Sequence, residues 1–218
     1  MIIAIDGPGA AGKSTVAKLL AQKLNYTYID TGAMYRCLAL YALRNNIDAN
    51  NVEGLIKASE DIEIFLDESN KVFLNNEDVT LAIRHPDVSR LASPVSCPRP
   101  VREIFVTKQR NLAKKAINGV VMDGRDIGTV VFPDANIKIY QVASCDERAK
   151  RRYIENVAKG INVPLEKIKE DIEKRDYTDM NKGYGALKKA SDAIELDTTN
   201  MSIQEVVDFI YNKVLESK

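Results

Sequence analysis

The chain has 218 residues, of which 45% are hydrophobic and 28% are charged, and its 31 basic residues balance 31 acidic ones. This length and composition are typical of one globular domain with a sizeable core. Zero net charge disfavours a nucleic acid partner, because proteins that bind phosphate backbones usually carry a basic excess. No apolar run approaches the roughly 18 residues that span a bilayer, so we expect no membrane partner either.

The cysteine and histidine content indicates a reducing compartment and no zinc site. Cys37, Cys97 and Cys145 lie far apart in the chain, and His85 is the only histidine. Such a sparse, odd set of cysteines is typical of cytoplasmic proteins. An apolar strand begins at residue 2, so no signal peptide is expected before it. We therefore expect a cytoplasmic protein with buried cysteines and a surface histidine, and nothing in the sequence argues against a monomer.

A phosphate-binding loop opens the chain. The sequence at 7–15 is Gly7-Pro8-Gly9-Ala10-Ala11-Gly12-Lys13-Ser14-Thr15, which contains a complete Gly-x-x-x-x-Gly-Lys-Ser motif. The flanks predict a buried strand before the loop and an amphipathic helix after it. In that context the backbone N–H groups and the helix N-terminus bind the phosphates of a nucleoside triphosphate. Lys13 is predicted to reach the β- and γ-phosphates, and Ser14 to ligate Mg²⁺.

Strands and helices alternate along most of the chain. Four further runs are predicted to be strands, at residues 26–29, 120–122, 137–142 and 193–196. The last helix is predicted to begin with a capping box formed by Ser202 and Glu205. This alternation predicts an α/β fold, in which a parallel five-stranded sheet is flanked by helices. Asp30 and Asp123 follow strands, so we expect them at the carboxyl edge of the sheet, where ligands collect.

Two segments interrupt the alternation. Residues 62–74 contain two short apolar runs around a polar turn, which predicts an antiparallel hairpin. Residues 146–185 are rich in charge, with one helix, a second helix from Pro164 and a loop at 175–185. This basic segment is bounded by glycines and is predicted to act as a lid over phosphates. Two solvated amphipathic helices remain the alternative.

The first helix of the predicted lid carries three arginines. Arg148 and Arg152 are four residues apart and share one helix face, so we predict that both point inward and act on the transferring phosphoryl group. Arg151 is expected to point to solvent.

The type of P-loop protein is narrowed by what surrounds the motif. None of the three Asn-Lys pairs is followed by the x-Asp that a guanine-binding motif requires, which disfavours a GTPase. Asp123 is followed by Gly124-Arg125-Asp126, with an arginine where a hydrolytic ATPase needs an acid to orient water. That arginine favours a second anionic substrate, and therefore a small kinase. A dephospho-coenzyme A or shikimate kinase, or a nucleotide-gated switch module, remains the alternative.

Several motifs together resemble those of bacterial cytidylate kinases. They lie at residues 6–15, 30–36 and 98–102, and the most specific is Asp-Gly-Arg-Asp-Ile-Gly-Thr-Val-Val-Phe-Pro-Asp-Ala at 123–135. The resemblance covers nearly the whole chain, including the hairpin. It implies transfer of a phosphoryl group from ATP to CMP or dCMP with Mg²⁺, giving ADP and CDP or dCDP.

The resemblance also implies one nucleoside monophosphate kinase unit over the whole chain. Such a unit has a core, a monophosphate-binding region that carries the hairpin, and a lid. The core would comprise residues 1–34, 91–145 and 186–218. The monophosphate-binding region would comprise residues 35–90, and the lid residues 146–185.

The acceptor phosphate calls for arginines, because the guanidinium fork matches phosphate oxygens. Arg36, Arg102, Arg125 and Arg175 are the candidates. The resemblance implies that Arg36 and Arg125 face the phosphate, with Arg125 also catalytic alongside Lys13. Arg102 would reach the base, and Arg175 the ribose and phosphates.

Other polar residues complete the predicted acceptor site. Asp126 can accept from the N4 amino group of cytosine, while Ser93 and Arg102 serve the other edge of the base. Uracil would leave buried acceptors unpaired there, which disfavours UMP by about 10- to 150-fold. Either Asp123 or Asp30 is predicted to touch Mg²⁺ through water.

Three further positions follow from the resemblance. Thr31 matches a small-hydroxyl position near the acceptor, and Asp179 a position that binds the pentose hydroxyls. Lys182 stands where the family commonly has arginine, and the family also has more arginine near Thr178. Lysine keeps the charge but lacks the bidentate fork, so Lys182 is expected to bind phosphate differently from the family's arginine.

Overall fold

A five-stranded parallel sheet forms the centre of the computed structural model, which describes residues 1–67, 69–158 and 160–217. The strand order is β2-β6-β1-β7-β8, and every neighbouring pair is parallel. The predicted fold class is therefore confirmed, with strand ends within two residues of the predicted ones. The strands are β1 (Ile2–Asp6), β2 (Thr27–Asp30), β6 (Val120–Gly124), β7 (Ile137–Val142) and β8 (Ile194–Asp197).

Eight α-helices are found in the described residues. They are α1 (Lys13–Leu24), α2 (Thr31–Arg44), α3 (Val52–Asp61), α4 (Pro86–Val95), α5 (Arg99–Lys114), α6 (Cys145–Ala158), α7 (Leu165–Asn181) and α8 (Ile203–Glu216). A short π-helical turn, Ile127–Val131, follows β6. Asp30 ends β2 and also caps α2, because its carboxylate accepts from the Ala33 N–H at 2.7 Å. The predicted capping box of α8 is present, with Ser202 and Glu205 bonded reciprocally.

The sheet separates two hydrophobic layers. Successive side chains of a strand point to opposite faces, and β1 shows this alternation clearly. Ala4 packs in the layer formed with α2, α3, α4 and α5. Ile3 and Ile5 pack in the opposite layer, with α1 and α8. Burying both faces of the sheet holds the carboxyl ends of its strands in fixed positions, and these ends carry the candidate site.

The predicted hairpin is confirmed and is larger than expected. β3 (Ile64–Leu66) pairs antiparallel with β4 (Val72–Leu74), which pairs with a third short strand, β5 (Glu77–Asp78). β5 was not predicted, because a strand of two charged residues shows no apolar alternation. Leu74 and Val72 attach this small sheet to the core.

The predicted lid consists of two packed helices. α6 and α7 bury Ala149, Ile168 and Ile172 against each other. The prediction of a loop over 175–185 is wrong for its first part, since α7 continues to Asn181. The irregular segment begins only at Lys182. The division of the chain into core, monophosphate-binding region and lid stays a prediction.

Smaller expectations had mixed outcomes. Cys37 is buried as expected, but Cys97 and Cys145 are only partly buried. His85 is exposed, and its ring Nδ1 accepts from the Asp87 N–H at the start of α4. No helix within the described ranges is both long and apolar enough to cross a membrane.

The α8 cap offers a test of local stability away from the candidate site. Ser202→Ala removes the hydroxyl that accepts from the Glu205 N–H, so we expect a loss of about 1 kcal/mol in the free energy of unfolding. Urea denaturation followed by circular dichroism measures it. The matched control is Ser217→Ala at the other end of the same helix, for which we expect a change within about 0.5 kcal/mol. Equal losses in both variants would contradict the role of the cap.

Candidate active site

The phosphate-binding loop turns tightly between β1 and α1. A Cβ at Gly7 would lie 2.0 Å from the Gln141 carbonyl oxygen, so only glycine fits. Ala10 and Gly12 have positive φ values of 59° and 87°, which curl the loop back on itself. The Gln141 amide donates to the Ala11 carbonyl at 2.6 Å and holds the far side of the loop. Gln141 was not predicted as part of the site, because no loop motif includes a residue so distant in the sequence.

Lys13 lies across this loop. Its ammonium is buried and donates to the Pro8 carbonyl at 2.7 Å. Burial, with the nearby positive charges of Arg125 and Arg175, lowers the pKa of Lys13 to about 7. A buried amine with so few anionic partners is poised to gain a negative ligand.

Ser14 and Asp123 meet at the sheet edge, as predicted. The Ser14 hydroxyl donates to one carboxylate oxygen of Asp123 at 2.7 Å, and the Tyr28 hydroxyl donates to the other at 2.8 Å. Burial, together with the negative charge of Asp30, raises the pKa of Asp123 to about 6. Ser14 and Thr15 are exposed on the side of a cavity of about 280 Å³ that Asp30 also lines.

This donor set suits a hard divalent cation. Hydroxyl and carboxylate oxygens are the ligands that Mg²⁺ prefers. Among the described residues, no cluster of three or more His, Cys, Asp or Glu side chains could hold a metal alone. An ion at Ser14 would therefore need oxygens from a phosphate ligand or water. Tyr28 was not predicted, because a tyrosine within a strand reads as a core residue.

Three cations surround the single carboxylate of Asp179. Arg125 Nε lies 2.7 Å, Lys182 Nζ 3.6 Å and Arg175 Nε 3.9 Å from its oxygens. Burial opposes ionisation of Asp179, but these charges outweigh it and lower its pKa to about 2. Arg175 is the least satisfied of the three. Burial and the charge of Arg125 lower its pKa to about 10, and its Nε has no hydrogen-bond partner among the described residues.

The cation cluster adjoins the phosphate-binding loop. A Cβ at Gly9 would lie 3.6 Å from Arg125 Nη2 and 3.7 Å from Arg175 Cδ. Arg36 lies at the start of α2 and pairs with Asp30 at 3.1 Å, and its Nε is likewise buried without a partner in the described part of the chain. The loop and the predicted phosphate-binding arginines thus lie around one space.

Thr31 has a structural bond as well as a place at this edge. Its buried hydroxyl donates to the Asp123 carbonyl at 2.7 Å, which ties α2 to the end of β6. The oxygen of that hydroxyl remains available as an acceptor.

A second, fully buried pair lies beside α5. Arg102 Nη2 contacts Asp126 at 2.5 Å, and its Nη1 donates to the Ser96 carbonyl. The guanidinium lies 5.1 Å from the centre of the Tyr35 ring, which stacks on Phe105 at 4.6 Å. Arg102 and Asp126 are predicted site residues, whereas Tyr35 was not predicted.

Unpartnered polar atoms occur on the helices that contribute to this site. Within the described residues, four buried atoms of α2, α4 and α5 have no hydrogen-bond partner: Tyr35 OH, Ser93 Oγ, Arg102 Nε and Gln109 Oε1. Leaving one such group unpaired destabilises a protein by about 1–3 kcal/mol, so these atoms favour binding of a polar ligand. Gln109 was also missed, because a glutamine in an amphipathic helix carries no recognisable signal.

The segment after α7 covers the Arg102–Asp126 pair. Gly185 has φ of 70°, and a Cβ there would lie 2.1 Å from Arg102 Nε and 2.5 Å from an Asp126 oxygen. Lys182 is buried nearby, where burial and the charge of Arg102 lower its pKa. The end of the predicted lid is therefore part of this pocket.

The arginines of α6 are arranged differently from the prediction. Arg148 does point inward, donating to the Gly9 carbonyl at 3.1 Å and pairing with Asp176 at 2.7 Å. Arg151, expected in solvent, donates to the Thr198 carbonyl at 2.7 Å and contacts Ala11. The expectation for Arg151 was therefore wrong.

Arg152 is half exposed and pairs with Glu155 at 3.1 Å, rather than facing inward with Arg148. It still lies near enough to contribute to the lowered pKa of Arg175. Four residues make slightly more than one helical turn. Packing of α6 on the loop and on the end of β8, rather than spacing alone, decides which arginine is covered.

The chain is similar to known proteins over nearly its whole length. The family model of cytidylate kinase matches residues 3–216. Cytidylate kinase of Bacillus cereus (strain B4264) is 52% identical over 215 residues, covering 97% of this chain and 95% of the relative. Cytidylate kinase of Streptococcus uberis is 51% identical, covering 97% and 94%.

Solved structures agree on the fold. Shikimate kinase from Bacteroides thetaiotaomicron aligns over 99% of this chain and 98% of its own, with a TM-score of 0.50 and 15% identity. At that identity the likeness concerns the fold alone. The family match and the two close relatives, each over nearly the full length, show that the chain belongs to the cytidylate kinase family.

Proposed function

We propose that the protein transfers the γ-phosphoryl group of ATP to CMP or dCMP, giving ADP and CDP or dCDP. Family membership supports the reaction class. The observation that carries the proposal is the buried Arg102–Asp126 pair, surrounded by unpartnered polar atoms and adjoining the arginine cluster beside the phosphate-binding loop. The Arg102–Asp126 pair would bind the base of a nucleotide, and the neighbouring arginine cluster would bind its phosphate.

On the donor side, the protein binds and orients the triphosphate. Backbone N–H groups of residues 9–14 and the N-terminus of α1 face the phosphates, and the Lys13 ammonium moves from the Pro8 carbonyl onto them. Arg148 fixes the Gly9 carbonyl to the lid. These groups hold the terminal phosphorus in line with an incoming oxygen, which is most of what an enzyme contributes to phosphoryl transfer.

We propose that Mg²⁺ accompanies ATP at Ser14 and Asp123. The ion would supply positive charge that neutralises the phosphates of ATP. The Ser14 hydroxyl would be a direct ligand, and Asp123 would accept hydrogen bonds from water molecules on the ion. Asp123 suits this role because it already accepts from Ser14 and Tyr28 and is held rigidly between them.

On the acceptor side, the nucleotide phosphate takes over cations that Asp179 holds in the free protein. Arg36, Arg125 and Arg175 offer forks to the phosphate oxygens. One of those oxygens attacks the γ-phosphorus as the bond to the ADP oxygen breaks. The same cations then stabilise the charge spread over the transferring group. Asp179, relieved of part of its pairing, can accept from a pentose hydroxyl.

Base choice follows from the donors and acceptors in the buried pocket. Cytosine presents an N4 amino donor, for which Asp126 supplies an acceptor, and its N3 and O2 accept from Arg102 and Ser93. Uracil presents an O4 acceptor to the Asp126 carboxylate, so O4 and the carboxylate oxygen that faces it would lie buried with no donor between them. Tyr35 and Gln109 add two buried polar atoms to the same space.

We also propose that the enzyme works as a cytoplasmic monomer. Its three cysteines are free, which agrees with a reducing compartment. Size-exclusion chromatography with light scattering at the concentration of the activity assay tests the monomer.

The proposed reaction is tested by measuring ADP release from ATP and Mg²⁺ with a panel of acceptors: CMP, dCMP, UMP, AMP, GMP, shikimate and dephospho-coenzyme A. We expect turnover with CMP and dCMP, and kcat/KM lower by at least about tenfold with UMP. Turnover only with a non-nucleotide acceptor, or phosphate release that no acceptor accelerates, would contradict the proposal.

Asp126→Asn tests the base pocket while preserving its shape. The amide oxygen can keep the bond to Arg102, which turns the amide N–H₂ toward the base. We expect the preference for CMP over UMP to fall by at least about tenfold, because a donor now faces O4 of uracil and the N4 amino group of cytosine loses its acceptor. Steady-state kinetics with both acceptors measure it.

Asp208→Asn is the matched control for this variant. Asp208 lies on α8 and makes an exposed ion pair with Lys23 of α1, so the same chemical change there should leave the preference unaltered. An unchanged CMP preference in Asp126→Asn would contradict the assignment of Asp126.

Lys13 makes ATP binding depend on pH. Its pKa near 7 means that the protonated form, which binds phosphates, is complete well below pH 7 and is lost as the pH rises through 7. Bound ATP raises the pKa of Lys13 again, so ATP binding at pH 8 should be accompanied by the uptake of about one proton at most. Asp123 is ionised at pH 8 before and after binding and contributes no proton.

Calorimetry of ATP binding in two buffers with different ionisation enthalpies measures this uptake. The Lys13→Arg variant keeps the charge but does not titrate near pH 8, and it should lose the uptake. An uptake that persists in that variant would assign the proton to another group.

A further inference from the structure

Asp6 is the last residue of β1, directly before the phosphate-binding loop, and none of the roles above uses it. Its backbone lies between β6 and β7, in register with Gly124 and Tyr140, and its carboxylate is buried. One oxygen accepts from the Ile127 N–H at 2.8 Å and the other from the Gly128 N–H at 2.7 Å. Both bonds join residues more than 120 positions apart.

These two N–H groups are the free donors at the start of the π-helical turn Ile127–Val131. An aspartate at the N-cap normally accepts from such donors with its own side chain. Asp126 occupies that position, but its side chain makes no bond to the turn. It points to Arg102 instead, at 2.5 Å. Asp6, although distant in sequence, therefore caps the turn and leaves the Asp126 side chain free to pair with Arg102.

The capped turn follows directly after two proposed substrate-binding residues. Arg125 points to Asp179 and the phosphate cluster, while Asp126 points to the base pocket. Their diverging directions depend on the backbone between β6 and the turn. That backbone is held on one side by strand pairing and on the other by the two Asp6 bonds.

We propose that Asp6 is a positioning residue for the acceptor nucleotide, which fixes the Arg125–Asp126 backbone and ties it to the phosphate-binding loop. The inference rests on the proposed function. Because Gly7 follows Asp6 in the chain, one carboxylate sets the spacing between the donor phosphates and the acceptor groups. In-line transfer is sensitive to that spacing.

The electrostatics of Asp6 agree with such a role. Burial raises its pKa to about 6, although the two backbone N–H bonds oppose the rise. The charged groups contributing at its site are Asp126, which raises the pKa further, and Lys13, which lowers it. A carboxylate kept in so unfavourable a place is retained for the bonds that it makes.

Asp6→Asn tests this role with little change of shape. The amide can accept from one N–H but presents a second donor to the other, so the turn should detach on one side. We expect kcat/KM for CMP to fall at least tenfold and the preference for CMP over UMP to fall with it. The KM for ATP should change less than threefold. A loss shared equally by ATP and CMP, with the preference unchanged, would overturn the inference.

A readout without substrate separates this inference from the proposed function. Hydrogen exchange of the Ile127 and Gly128 amides, measured by NMR on the ligand-free protein, should accelerate in Asp6→Asn. Unchanged exchange at both amides would overturn the inference even if CMP is the substrate. Failure of the unaltered enzyme to use CMP would overturn the proposed function, while the exchange still tests the cap.

Two further variants guard against a merely destabilised protein. Ser202→Ala lowers stability away from the site and should leave the CMP preference unchanged. Asp6→Ser removes the same bonds in another way, because its shorter hydroxyl can accept from at most one of the two N–H groups and brings no amide donor. If Asp6→Asn does not fold, Asp6→Ser should show the same fall in CMP preference. An unaltered preference there would overturn the inference.

Discussion

The concentration of positive charge at one edge of the sheet is the constraint on which the rest of the site depends. A cleft for two phosphate-bearing substrates must hold several cations close together before either substrate arrives. Asp179 makes this possible by pairing with Arg125, Lys182 and Arg175 at once. The lowered pKa values of Lys13 and Arg175 show that the compensation is incomplete. That residual imbalance favours binding of phosphate.

The other acids of the site have two tasks each. Asp30 caps α2 and pairs with Arg36. Asp123 accepts from Ser14 and Tyr28 with its side chain, while its carbonyl accepts from Thr31. Each of these acids ends or follows a strand, so the fold and the site share the same bonds. A substitution among them is therefore expected to affect both position and charge.

Much of this arrangement could be predicted from the sequence, because it is encoded locally. Apolar runs located the strands, and the loop motif located Lys13 and Ser14 with their backbone context. What could not be predicted depends on contacts between distant segments. Arg151 reaches the Thr198 carbonyl only because α6 packs beside the end of β8. Tyr28 and Gln141 resemble ordinary strand residues in the sequence, and only the folded structure shows their bonds to Asp123 and to the Ala11 carbonyl.

The end of α7 is also determined by contacts between distant segments. Its polar sequence favoured a loop, yet burial of Asp176 and Asp179 against arginines of other elements keeps it helical to Asn181. Lys182 then enters the pocket as a compact charge, whereas an arginine would need room for its planar fork. Gly185 brings the backbone so near the Arg102–Asp126 pair that a Cβ would overlap it. In this chain the cover of the proposed base pocket is therefore made by the main chain and one point charge. The guanidinium fork that we propose to bind the base remains on Arg102, which is fixed in the core.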